Sequence, residues 1–226
     1  MARRLMKIPD RRELASELLA GYVSGPAAAT EATAAALAKT AGARAVILVE
    51  GVSDQIALET LAVRRGRDLG AEGIVVLPVG GIHAVTRFLR QFGPEGEGVR
   101  LAGLCDAGEE DILRRGLATA HVGSPRTRAD MERMSFHVCV EDLEDELIRA
   151  VGAARVMELF GSQGDLRSVD AMRRQPAWRG RSTEAQLRRF LGAGSQRKLR
   201  YARLLVEAVD PGGLPRPLDA VLADVR

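Results

Sequence analysis

Three continuous apolar runs restrict this chain to few folds. Residues 45–49 (AVILV), 73–79 (GIVVLPV) and 99–105 (VRLAGLC) are rich in β-branched residues and show no polar alternation. Runs of that kind mark strands buried on both faces, which occur in parallel sheets covered by helices. Between them lie segments with helical spacing: Ile56, Ala57, Leu61 and Ala62 after the first run, and Val85, Phe88 and Leu89 after the second. A third helix is expected over about 109–117, a short one over 127–134, and a further strand over 136–140. Strands alternating with helices predict an α/β fold with a parallel β-sheet flanked by helices.

Helical segments flank this core. Asp10 can cap a helix with Leu14, Leu18 and Leu19 on one face, and an Ala-rich helix is expected over about 27–40, closed by Gly42. Ser53 is expected to cap the helix after the first strand. Beyond about residue 147 no strand is evident, and Gly- and Pro-containing breaks separate short helices. The expected organisation is a helical segment over 1–42, an α/β domain over 43–150 and a basic helical region over 151–226. No apolar run approaches the ~18 residues of a membrane span, and the basic N-terminus lacks the apolar stretch of a secretory signal. The expected location is therefore the cytoplasm. Cys105 and Cys139 lie in strand-like runs and read as reduced, buried thiols.

Net charge is only +3, yet residues 167–203 hold eleven basic residues against Asp170 and Glu184, a local charge of +9. A basic region beside an acidic one fits a protein that holds phosphates with one part and metal with another. The bland alternative is a solvated Arg-rich helical surface.

In an open parallel sheet the site lies beyond the C-terminal strand ends. Two strands deliver carboxylates there: Glu50 ends the first, with Asp54 four residues on, and Asp106 ends the third, followed by Glu109 and Glu110. Clustered carboxylates repel one another unless a cation intervenes, and hard oxygen ligands suit Mg²⁺ or Mn²⁺. Such ions could neutralise a scissile phosphate and activate water.

At residues 48–54 (LVEGVSD) the chain resembles the opening motif of TOPRIM domains. Gly80-Gly81 entering a helix is similar to the family's middle segment, and Leu104-Cys105-Asp106 to the start of its DxD motif. The likeness is strongest to the TOPRIM half of OLD-family nucleases. It covers about 44–117, and extends more weakly to residues 143–147 (LEDEL), which look like that family's distal acidic motif.

The resemblance implies a Rossmann-like TOPRIM sheet and a metal-dependent endonuclease acting on DNA. It implies Glu50 as metal ligand or general acid/base, Asp54 and Asp106 as metal ligands, and Glu144 as ligand of a second metal. Residues 194–202 (GSQRKLRYA) resemble a late Lys-containing helix of OLD nucleases, which makes Lys198 a candidate for stabilising the reacting phosphate. Glu144 could equally belong to a solvated first helical turn beside a capping Asp142. Arg188, Arg189 and Arg197 are candidate backbone-phosphate contacts, with Gly80 and Gly81 beside them. Trp178 could stack on a base or anchor a loop. His83, His121 and His137 show no ligand spacing.

Two departures stand out. Gly108 occupies the place of the second DxD carboxylate; Glu109 or Glu110 could substitute, although neither is in register, which leaves occupancy by one or two metals open. No GxxxxGK followed by Ser or Thr occurs, so either the protein works alone or the ATPase associated with OLD nucleases is a partner supplied by another chain. The competing readings are a TOPRIM module that binds nucleic acid or an ATPase partner without cutting, and a receiver-like phosphoacceptor at Asp106. The second lacks the Lys expected after a late strand.

Overall fold

The computed structural model describes residues 19–22, 25 and 27–226. The helix expected from Asp10 lies outside the described residues. Helix α1 spans Ala28–Leu37, shorter at both ends than the expected 27–40. The sheet then builds in chain order: β1 (Ala45–Val49), α2 (Val52–Arg64), β2 (Ile74–Pro78), α3 (Val85–Phe92), β3 (Arg100–Cys105), α4 (Glu110–Thr119), α5 (Arg128–Arg133) and β4 (Phe136–Val138). After β4, strands give way to helices: α6 (Leu143–Val151), α7 (Ala153–Ser162), α8 (Leu166–Arg173), α9 (Thr183–Gly192), α10 (Ser195–Ala208) and α11 (Arg216–Asp224).

The sheet order is β2-β1-β3-β4, and every neighbouring pair is parallel. Every residue of β1 and β2 is buried, as their unbroken apolar runs require. Side chains alternate across the pleat. Ala45, Ile47 and Val49 enter one core, and Val46 and Leu48 the other. Helices α3 and α4 cover the second face with Phe88, Leu89, Leu113 and Leu117. The first face is covered by Leu58 and Leu61 of α2 and by residues far along the chain, including Phe160, Phe190, Tyr201 and Val221. The C-terminal helices thus share a continuous core with the sheet. Arg64 of α2 joins these layers by donating to the carbonyls of Val206 and Val209, the latter at 2.8 Å, at the carbonyl-rich end of α10.

Local chemistry sets the element ends. Thr127 Oγ1 accepts from the Asp130 amide at 3.1 Å while Asp130 returns to the Thr127 amide at 2.8 Å, which starts α5. Asp142 accepts from the Asp145 amide at 2.8 Å and starts α6, which Gly152 ends at φ 83°. At α2 the cap differs from expectation. Gly51 holds the capping position, and Asp54, rather than Ser53, reaches back to the Gly51 amide at 3.0 Å. β4 is shorter than 136–140, ending at Val138, and His121 sits at φ 53° in the turn after α4. Its ring contacts Glu95 at 2.6 Å.

At Gly103 strand β3 packs tightly between its neighbours β4 and β1. Gly103 pairs with Phe136, and a Cβ there would lie 2.7 Å from the Phe136 ring and 3.1 Å from the Leu48 carbonyl. Gly103→Ala is expected to cost about 1–3 kcal/mol through overpacking, read as a lowered thermal midpoint. Among the described residues, no helix is long and apolar enough to cross a membrane.

Candidate metal centre

Glu50 leaves the end of β1 and Asp106 the end of the adjacent β3, so the sheet itself fixes the two carboxylates side by side. The Glu50 carbonyl accepts from both the Gly80 and Gly81 amides, each at 3.1 Å. These glycines adopt φ 77° and 107°, a region that side chains with a Cβ rarely enter. Their amides are thus spent on anchoring the backbone of Glu50. That accounts for the Gly80-Gly81 turn structurally.

Glu109 completes the centre. A 3₁₀ turn over Ala107–Glu109 follows Asp106, and the Glu109 amide donates to the Asp106 carbonyl at 3.0 Å. With three residues per turn, positions 106 and 109 eclipse one another. Glu50, Asp106 and Glu109 therefore each offer an oxygen within 4.8 Å of the others. Gly108, in the DxD spacing, is exposed. The spacing rule looked for an extended backbone, whereas the chain turns. Of the two out-of-register substitutes, Glu109 is the one that the turn brings to Glu50 and Asp106, and the pair Glu109-Glu110 three residues after Asp106 was its sequence signal.

The electrostatics are those of crowded, partly dehydrated acids. Burial pushes Asp106 up to about 8, helped by Asp54, Asp142, Glu109 and Glu50. Glu109 rises to about 7 by burial and by its proximity and hydrogen bond to Glu50. Asp54 rises to about 6, mainly by burial, with Lys198 pulling the other way. Glu109 Oε2 is buried and has no hydrogen-bond partner. Three hard oxygen donors, mutual repulsion and an unsatisfied buried oxygen together fit a hard divalent cation.

A second acidic layer lies beside the first. Glu144, in the first turn of α6, is buried, and burial raises it to about 7 despite Lys198. Lys198, in the first turn of α10, places Nζ 3.4 Å from Glu144 Oε2. Burial would lower the Lys198 pKa, but Glu144, Asp54 and Asp106 outweigh it, so the ammonium is held firmly charged. The structure thus brings Glu50, Asp54, Asp106, Glu144 and Lys198 to one sheet edge.

The arginines are more dispersed. Arg188 bonds Asp142 at 2.6 Å and lies 3.5 Å from Glu141, at the rim of the acidic edge. Arg189 lies over the Trp178 ring at 5.7 Å. Arg197 donates to the Phe190 carbonyl at 2.9 Å and covers the Phe190 ring at 3.9 Å, which ties α10 to α9. Much of the basic run is engaged inside the protein: Arg173 with Gln186, Arg200 with Asp165 and Arg203 with Glu207. His137 is buried and bonded to Asp224 at 2.8 Å, away from the acidic edge.

This parallel sheet, with acidic residues at the ends of β1 and β3, is similar to the TOPRIM arrangement that the sequence motifs resemble. Residues 43–107 match the model described as "Overcoming lysogenization defect protein-like, TOPRIM domain". Over that stretch the chain is similar to an OLD-like TOPRIM domain. Its structure is similar to the C-terminal region of the Xanthomonas campestris pv. campestris OLD protein, at TM-score 0.58 and 25% identity, covering 81% of this chain and 94% of that one. It shares its fold with the C-terminal region of the Burkholderia pseudomallei OLD protein, at TM-score 0.59 and 20% identity, covering 81% and 97%. Comparison with curated proteins gives no match.

Proposed function

We propose that the chain is a divalent-metal-dependent nuclease that hydrolyses or nicks DNA phosphodiesters at the edge of its TOPRIM sheet. The observation that carries this reading is the convergence of Glu50, Asp106 and Glu109, with one Glu109 oxygen buried and unsatisfied. Those three residues would hold Mg²⁺ or Mn²⁺. When bound, the ion supplies charge neutralisation of the phosphate and a lowered pKa for a coordinated water.

The chain's own residues do the rest. Asp54 holds the Gly51 amide and so fixes the turn that presents Glu50. Lys198 presents a permanent positive charge toward the oxygens on which negative charge grows as water attacks phosphorus and the sugar oxygen departs. Arg188, ion-paired at the rim, can exchange a carboxylate for a backbone phosphate. The binding-only reading drew its motive from Gly108, and Glu109 supplies the carboxylate that Gly108 lacks. An ATPase partner in trans remains part of the proposal, drawn from the OLD likeness.

The test is nicking of supercoiled plasmid with Mg²⁺ or Mn²⁺ by the wild type, Glu50→Ala and Glu109→Gln. The expected result is metal-dependent nicking that falls by ~10²–10³-fold in both variants. Folded wild type that shifts DNA on a gel but never cuts, with either metal, would sink the stand-alone enzyme.

A further inference from the structure

The carboxylates at the sheet edge do not form one bowl. They sort into two groups with different commitments. Glu50, Asp106 and Glu109 converge, and one of their oxygens has no partner. Asp54 and Glu144 are already engaged, the first by the Gly51 amide at 3.0 Å and the second by Lys198 Nζ at 3.4 Å. Among the described residues, the convergent triad is the one group of three potential metal ligands.

The Lys198 side chain is in an unexpected place for a cation. It sits in the first turn of α10, where the helix dipole is positive and opposes it. Glu144 is only 9% exposed and the Lys198 side chain 36%. A lysine held at the wrong end of a helix, against a buried carboxylate, is placed by that carboxylate and its neighbours. Asp54 and Asp106 also attract it. A dication brought to Glu144 and Asp54 would meet this ammonium at contact distance and would have to displace it.

Resting on the metal-dependent reading above, we infer that the site takes a single divalent cation on Glu50, Asp106 and Glu109, and that the Lys198 ammonium, seated on Glu144, occupies the position of a second one. The chain thus keeps the two-cation clamp useful for in-line phosphoryl displacement, with one of the two cations built into the protein. Gly108 fits this arrangement: with Glu109 committed to the first ion, the DxD spacing offers no further carboxylate for a second one. Glu144 is in this account a seat for Lys198 instead of a metal ligand.

Counting ions on the full chain tests this without reference to cutting. The probe is Mn²⁺ alone, titrated by calorimetry and followed by electron paramagnetic resonance, which reveals spin coupling between two neighbouring ions. One uncoupled Mn²⁺ per wild-type chain is expected, with affinity weakened ~10-fold or more by Glu109→Gln. Lys198→Met frees Glu144 and Asp54, so the count is expected to rise to two, with coupled ions. Lys198→Arg, which keeps the charge and serves as the folding control, is expected to stay at one, as is the Lys198→Met/Glu144→Gln double variant. Two ions on the wild type would overturn the inference while leaving the nuclease reading intact. So would a folded Lys198→Met that still binds one ion. No ion on the wild type would overturn both.

Discussion

Asparagine at position 106 is expected to abolish metal-dependent nicking and yet to raise the melting temperature of the metal-free protein. The two effects share one cause. Asp106 is pushed up to about 8 by burial and by the carboxylates of Asp54, Asp142, Glu109 and Glu50. In the unfolded chain the same group ionises near 4. The folded state therefore binds a proton that the unfolded state releases, and this group's contribution to stability falls as pH rises from about 4 to about 8. Glu109 and Glu144, at about 7, and Asp54, at about 6, act in the same direction. Lys198 stays charged throughout that window and adds no slope.

Metal-free wild type should accordingly melt lower at pH 8.5 than at pH 5.5, and saturating Mg²⁺ should shrink or reverse that difference. Asp106→Asn removes one buried acid without changing its shape. After discounting for solvent screening, a gain of about 1–3 kcal/mol is expected at pH 8, or on the order of 5 °C for a chain of this size. Calorimetric melts of both proteins at the two pH values, with and without Mg²⁺, check it. A variant that is less stable than wild type at pH 8 in the absence of metal would show that these acids are not in conflict.

The sheet and its active edge were legible in the sequence because both depend on local patterns. Unbroken apolar runs at 45–49 and 73–79 fixed buried strands, and the acidic residues directly after 45–49 and 99–105 had one place to go. Three features were not legible. That Glu109 and not Glu110 completes the cluster was not legible, because the turn after Asp106 is 3₁₀ and motif spacing carries no information on turn type. The basic excess over 167–203 looked like a phosphate surface, but charge counting does not reveal partners. Arg188, Arg200 and Arg203 each pair with a carboxylate, and Arg197 caps a helix end. Finally, the short C-terminal helices have apolar positions but no signal of what they cover. Only the fold shows Phe160, Phe190 and Tyr201 completing the core under β1.

That C-terminal layer contains a buried ionic joint, and Asp165→Ala is expected to be the most destabilising single change in it. Asp165, 5% exposed, accepts from Arg200 and from the Tyr201 hydroxyl, the latter at 2.8 Å. Arg200 is 8% exposed and Tyr201 fully buried, so neither can turn to water when the carboxylate goes. Breaking a buried pair by removing one partner costs about 3–5 kcal/mol, because the remaining charge is left uncompensated. For a protein of this size that is roughly a 10 °C loss in melting temperature. The Asp165→Ala/Arg200→Met double variant removes the stranded charge and should recover most of it. If the double variant is no better than the single, the cost lies in packing and not in charge. The site should respond unevenly. Arg200 lies two residues beyond Lys198 on α10, so loosening this joint disturbs the seat of the lysine on Glu144. Glu50, Asp106 and Glu109 stand on β1, β3 and the turn that follows, outside the joint. Below its melting temperature Asp165→Ala should therefore bind Mn²⁺ as wild type does while losing nicking rate, which separates the half of the site that holds metal from the half that holds the lysine.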